Sequence, residues 1–246
     1  PDPGQSTYGV RTATPMEASD RWLPRPSGLP ARISLAAQHG LGAHVTKVTG
    51  RLPRTDGPVT ARTPEVEAAV TAATAKSLHI RLGSRIHVPA VGRASLAVRV
   101  TGIVTPRDPE GAYWSTQPLL RTPALAVVPS NDPNKDYYWL GALLLSPDAA
   151  PALLGTAAVP WSYWQYAPTA GSLHSYDTDR LRSVIASLEG GPGLRRIGAL
   201  TGPTTTVSTD LDQVLGTYTA LRGGVRPLVA VAAFGAGTVA AVVLLM

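Results

Sequence analysis

The sequence predicts an α+β fold of mixed sheets with packed helices, followed by a C-terminal transmembrane helix. Three observations carry this expectation. Segments that alternate like strands are interspersed with segments whose apolar residues recur at helical spacing. Charged residues make up only 15% of the chain, while 24 glycines and 23 prolines mark a loop-rich globular composition. After Arg226 come 20 residues, "PLVAVAAFGAGTVAAVVLLM", without a single charge. A helix rises ~1.5 Å per residue, so such a run reaches about 30 Å, the thickness of a hydrocarbon core.

The first 30 residues hold six prolines and read as irregular. "TPEVEAAVTAATAKSL" at 63–78 reads as a helix, with Thr63 as cap, Pro64 at the first helical position and Glu65 and Glu67 at the positive end. Its apolar face is Val66, Ala69, Val70 and Ala73. "RIHV" and "LAVRVTGIV" alternate like strands joined through Gly92, and Leu96, Val98 and Val100 are expected to face the core. "GALLLS" at 141–146 reads as another strand. A second helix is expected near 178–189, with Leu181, Val184, Ile185 and Leu188 as its stripe. A third is expected near 210–221, capped by Thr209.

These elements divide the chain into an outer domain (1–209), a membrane-proximal helix and junction (210–226) and a transmembrane helix (227–246). Gly223 and Gly224 interrupt the pattern before the apolar run and form a candidate hinge. Within the run, Ala232, Ala236 and Ala240 are spaced by four, as are Ala233, Gly237 and Ala241. Small residues on one helix face let another helix approach closely. Gly235, Gly237 and Ala240 also fit G-x-G-x-x-A, a match that a Gly- and Ala-rich run produces by chance.

Chemistry is sparse. The absence of cysteine removes disulfides, thiolate metal sites and cysteine nucleophiles together. No phosphate-cradling G-x-x-x-x-G-K-[ST] loop, no H-E-x-x-H and no G-x-S-x-G elbow is present. The five histidines show no metal-ligand spacing; His79 and His87 flank one loop with no acid close in sequence. Asp108 and Glu110, between prolines and a glycine, read as turn residues. No catalytic residue, metal or cofactor is expected. The net charge is +6, but basic residues are scattered, with no run longer than Arg195-Arg196, so no nucleic-acid partner is expected.

Aromatic residues are the exception. Nine of the 14 fall in three stretches: Tyr113-Trp114, Tyr137 to Trp139, and "WSYWQY" at 161–166. In an extended strand Trp161 and Tyr163 point one way, Trp164 and Tyr166 the other. At least one of these pairs is expected in the core. The functional alternative is a platform for a sugar, a lipid or a partner protein.

"HVTKVTGRLPR", "EVEAAVTAATAKSLHIRLGSRIHV" and "LAVRVTGIVTPRDPEGAYW" resemble, in this order, the extracytoplasmic domain of FtsX-like/MacB-like ABC transporter permeases. The shared elements are "GR-x-P", a turn at Leu82-Gly83-Ser84-Arg85 that lacks the family's usual second Gly and Asp, a strand ending "V-x-G-I", and a "DP…YW" segment. "TTTVSTDLDQVLGTYTALRGG" is similar to the family's return into the membrane. The resemblance implies a non-catalytic, dimeric permease in the cell membrane, served by a separate cytoplasmic ATPase, with residues 1–226 mostly outside the cytoplasm. The alternative is a membrane-anchored binding module for cell-wall glycan or a partner protein.

Overall fold

The computed structural model describes residues 2–115, 117–129, 135–167, 178–202, 204–209, 211, 213 and 215–217. The chain divides into two compact units, Pro1–Pro168 and Thr169–Met246. The class is α+β, as the interspersed patterns predict.

The first unit is built on a mixed sheet. Its strands are β1 (Asp2–Thr12), β2 (Met16–Glu17), β3 (Arg32–Gln38), β4 (Val45–Gly50), β5 (Glu65–Thr71), β6 (Arg85–Ala90), β7 (Arg93–Pro106), β8 (Ala124–Val127), β9 (Tyr137–Leu145) and β10 (Pro160–Ala167). The sheet runs β10-β1-β3-β9-β5-β7-β4, with β2 on β3, β6 on β7 and β8 on β9 beside this path. β3 runs parallel to β9 and β5 parallel to β7, while the remaining pairs are antiparallel. Short helices α1 (Ala72–Ser77), α2 (Ala112–Ser115), α3 (Pro118–Arg121) and α4 (Ala150–Leu153) complete this unit.

Both sheet faces are covered by apolar side chains. One cluster gathers Ile33, Leu35, Val66, Val70, Val98, Val100 and Leu143 with Ala75 and Leu78 near α1 and Leu153 of α4. The other gathers Ala36, Ala69, Val104 and Leu144 with Tyr113 and Trp114 of α2 and Leu120 of α3. Leu96, Val98 and Val100 are fully buried, as their alternation predicts. A bulge then swaps which β7 positions face which core. Ala68 pairs with Val100 but Ala69 pairs with Gly102, so Thr101 is the extra residue. An inserted residue reverses which side chains face which side, and Val104 accordingly joins the second cluster.

The helix expected over 63–78 is corrected. Glu65–Thr71 is a strand, and only Ala72–Ser77 is helical. β5 lies between β9 and β7, in the middle of the sheet, and is buried on both faces. Alanines at 68 and 69 satisfy a period of two as well as one of 3.6, so periodicity alone does not separate the two states. The helix cap is therefore Thr71, not Thr63: the Thr74 backbone N–H donates to Thr71 Oγ1 at 3.2 Å. The irregular start is corrected too, because Asp2–Thr12 forms β1 between β3 and β10. "RIHV", "LAVRVTGIV" and "GALLL" are strands as expected.

In the second unit, α5 (Thr178–Gly190) matches the expected helix, and α6 (Pro192–Thr201) follows after one residue. Ser187 ties the corner, its carbonyl accepting from Gly191 N–H at 3.1 Å and its Oγ from Gly193 N–H at 3.0 Å. Thr209 Oγ1 accepts from Leu211 N–H at 3.2 Å, the capping contact expected at 209. Among the described residues no helix is long and apolar enough to cross a membrane. The run 227–246, the junction Gly223 and Gly224, and the packing face of Ala232, Ala233, Ala236, Gly237, Ala240 and Ala241 lie outside the described residues.

Trp114 is fully buried and its indole N–H donates to His44 O at 3.1 Å. Trp114→Ala is expected to cost about 3–5 kcal/mol, and Trp161→Ala, at a half-exposed position, only about 1 kcal/mol. Urea unfolding of the two variants checks this; equal losses would contradict the packing described.

Candidate functional site

The three aromatic stretches have three different fates. Tyr113 and Trp114 are core residues, in edge-to-face contact with ring centroids 5.1 Å apart. Tyr113 stacks on His44 at 3.8 Å, and its hydroxyl donates to His39 O at 3.1 Å. Burial pushes the Tyr113 hydroxyl far up and, together with Arg107, pushes the His44 imidazole down. Tyr138 lies under the Arg32 guanidinium, 4.6 Å from Cζ to the ring centre, and Trp139 packs partly buried against the first core cluster.

The third stretch is β10, the terminal strand of the sheet. The expectation that one of its pairs is core is corrected. Trp161 is 43% exposed, Trp164 54% and Tyr166 66%; Tyr163 alone is largely covered. The cause is topological. Among the described residues β10 has a neighbouring strand on one side only.

Strand pairing brings further residues to this edge. Tyr8 is directly opposite Trp164 and Arg11 directly opposite Trp161. Tyr8 is half exposed and stacks on His39, centroids 4.1 Å apart, so Trp164, Tyr8 and His39 form a row across β10, β1 and the end of β3. On the opposite face the Arg11 guanidinium lies 4.3 Å from the Trp161 ring centre and 5.5 Å from that of Tyr163. Burial lowers Arg11 from the ordinary guanidinium value, and among the described residues no carboxylate pairs with it. Tyr163 donates its hydroxyl to Gln38 Oε1 at 2.7 Å, and burial pushes that hydroxyl up to about 12, so it remains a donor at physiological pH. The Gln38 amide nitrogen is buried and, among the described residues, has no hydrogen-bond partner.

At the other end of the sheet lies an ion-pair node. Glu67 is nearly buried and accepts a two-pronged bond from Arg51, a bond from Arg99 Nη2 at 2.7 Å and one from the Arg54 backbone N–H at 3.2 Å. Glu65 adds Arg85 at 2.7 Å and Arg99 Nε at 3.2 Å. The Arg51 hydrogen bonds hold the Glu67 carboxyl below its ordinary value. Gly50, Arg51, Leu82, Gly83, Arg99 and Thr101 line one shallow hollow beside this node.

The histidine reading changes as well. Asp20, 67 residues away in sequence, accepts from the His87 backbone N–H at 2.6 Å and contacts its Nδ1 at 2.9 Å. No group of three or more potential metal ligands, at this pair or elsewhere, exists among the described residues. Glu110 pairs with Arg121 at 2.6 Å, and Asp108 closes a turn with Gly111, as the prolines around them predict.

Sequence reasoning found Trp161, Tyr163, Trp164 and Tyr166 but missed Arg11, Tyr8 and Gln38. Their roles come from strand register, which no local pattern displays. Comparison with protein-family models, curated proteins and solved structures finds no match for this chain.

Glu67→Gln is expected to lower stability at neutral pH by about 2 kcal/mol, because Arg51 and Arg99 lose their common anion. Its folded-state carboxyl sits below the unfolded value, so the contribution is complete above the unfolded value and disappears as pH falls through the folded one. Urea titrations of both proteins across this acid range should converge; a constant difference would contradict the ionic account.

Proposed function

We propose that the chain is the outer domain of an FtsX-like/MacB-like ABC transporter permease together with the start of a membrane helix. The domain has no chemistry of its own. It engages a partner or cargo and passes on motion that a separate cytoplasmic ATPase generates, in a dimeric permease held in the bilayer.

One observation carries the reading. The sequence elements behind the resemblance meet in space. Gly50 and Arg51 of the "GR-x-P" element, Leu82 and Gly83 of the turn, and Thr101 and Gly102 of the "V-x-G-I" strand pack around one node. Arg51 N–H donates to Thr101 O at 2.9 Å, and Gly83 N–H to Val100 O at 2.8 Å. Gly50 has φ +82°, and a side chain there would run into the Thr101 carbonyl and Leu82. The "DP…YW" aromatics anchor the second core. Motifs that serve architecture, with solvent-facing aromatics at the far edge, suit a binding and force-transmitting domain. The exposed aromatics favour a second reading as well, a membrane-anchored module that binds glycan or a partner without any transporter.

The absence of cysteine makes topology directly testable. Ser162 is exposed, so Ser162→Cys, in the full-length protein with any cysteine outside these 246 residues replaced, should react with a membrane-impermeant maleimide in intact cells. Labelling only after permeabilisation would overturn the outer-domain reading. A soluble glycan that blocks labelling would favour the module instead.

A further inference from the structure

β10 ends the sheet, with β1 on one side and, among the described residues, no strand on the other. Natural sheets protect such edges with charges, inward-pointing ions or bulges. The opposite terminal strand, β4, does carry Lys47. β10, "PWSYWQYA", carries no charge over eight residues and exposes three large aromatic rings. An edge of this composition is suited to being paired.

Arg11 says what kind of chain pairs with it. Arg32, Arg51, Arg85, Arg99 and Arg121 each hold a carboxylate. Arg11 is half-buried and holds none among the described residues; its guanidinium lies against the rings of Trp161 and Tyr163 instead. Its guanidinium lies 4.3 Å from the ring centre of Trp161, a side chain of the terminal strand itself. An added strand would run about 4.8 Å beyond β10. A carboxylate on that strand, beside Trp161, meets the guanidinium fork in a partly dry setting, where charge-assisted pairing is strong.

We propose that β10 is the docking edge for an extended segment of a partner protein bearing an acidic side chain, which adds to the sheet as a strand and sets its carboxylate on Arg11. This deepens, and rests on, the reading of the domain as an interaction module. A strand added in the plane of the sheet touches both faces at once: Trp161 and Tyr163 on one, Trp164 and Tyr166 on the other. A bilayer surface does not, because the two tryptophans point to opposite sides. A second copy fits poorly. Its own β10 offers no acid to Arg11, and it brings a second Arg11 to a chain already at +6.

The test uses the full chain in mild detergent as target for a random phage-displayed library of extended peptides. Selected peptides should be rich in β-branched residues and share an acid. For a synthetic selected peptide, changing that acid to its amide should weaken binding at least about tenfold, and Arg11→Gln should give the same loss without adding to it. The peptide change leaves the protein intact, so a folding defect in the Arg11 variant does not obscure the result. N-methylation of one alternate set of peptide amides should abolish binding, and of the other set should be tolerated, because strand addition uses one side of the backbone. Failure to select any peptide, indifference to the acid, or tolerance of both methylated sets would overturn the proposal. Protection of Trp161 and Trp164 by phosphatidylglycerol vesicles, or a dimer broken by Trp161→Ala, would overturn it in favour of a lipid or a second copy. Labelling of Ser162→Cys only in permeabilised cells would remove the outer-domain reading while leaving the peptide result standing.

Discussion

A single carboxylate holds the far end of the sheet together. Glu67 sits in β5 with little access to water, a position that is costly for an anion without partners. Arg51 arrives from the exit of β4, Arg99 from β7, and the Arg54 N–H from the following loop. The anion thus joins two strands and a connection that are distant in sequence. It also fixes register. A shift of one residue would turn Glu67 and Arg99 into the opposite, apolar face. The bulge at Thr101 sits beside this clamp, and the Arg51 N–H bonds to the Thr101 carbonyl that the bulge presents. From there the facing of β7 positions is swapped, and β7 supplies Val104 to the second core. The arrangement of both cores therefore follows from a local irregularity that the clamp braces.

The two ends of the sheet have contrasting chemistry. The β4–β7–β5 end is tied by paired charges and tight glycine contacts, and its polar groups are largely committed to one another. Among the described residues, the β1–β10 end has uncommitted groups: exposed rings, a guanidinium without an acid and a buried amide nitrogen without an acceptor. A braced end and an uncommitted end are what a domain needs if it binds at one place and is held rigid at another. Binding energy then goes into contacts rather than into ordering the scaffold.

Legibility followed the residue types. β7 and β9 were visible because Leu96, Val98 and Val100 alternate with polar neighbours and because "GALLL" is a short apolar run. α5 was visible because Leu181, Ile185 and Leu188 recur at helical spacing. β5 was hidden by alanines, which suit either period, and by the acids and proline that imitate a helix start. β1 was hidden by its neighbouring prolines. At the candidate site, alternation showed that the β10 aromatics point two ways but not which face would be covered; that depends on the strand lying at the end of the sheet. The pairing of Asp20 with His87 and of Arg11 with Trp161 bridges 67 residues in one case and about three-fifths of the chain in the other. Sequence distance of that kind leaves no local trace.

The dependence of the fold on the Glu67 clamp is tested most directly by a double-mutant cycle between Glu67 and Arg51. Stability by urea unfolding would be measured for Glu67→Gln, Arg51→Gln and the pair, with near-ultraviolet circular dichroism of Trp114 as the probe. The clamp account predicts strong non-additivity: once Glu67 has lost its charge, removing Arg51 as well should cost little more. Losses that simply add would contradict it, leaving the two residues as independent surface charges on a sheet held by its apolar cores alone.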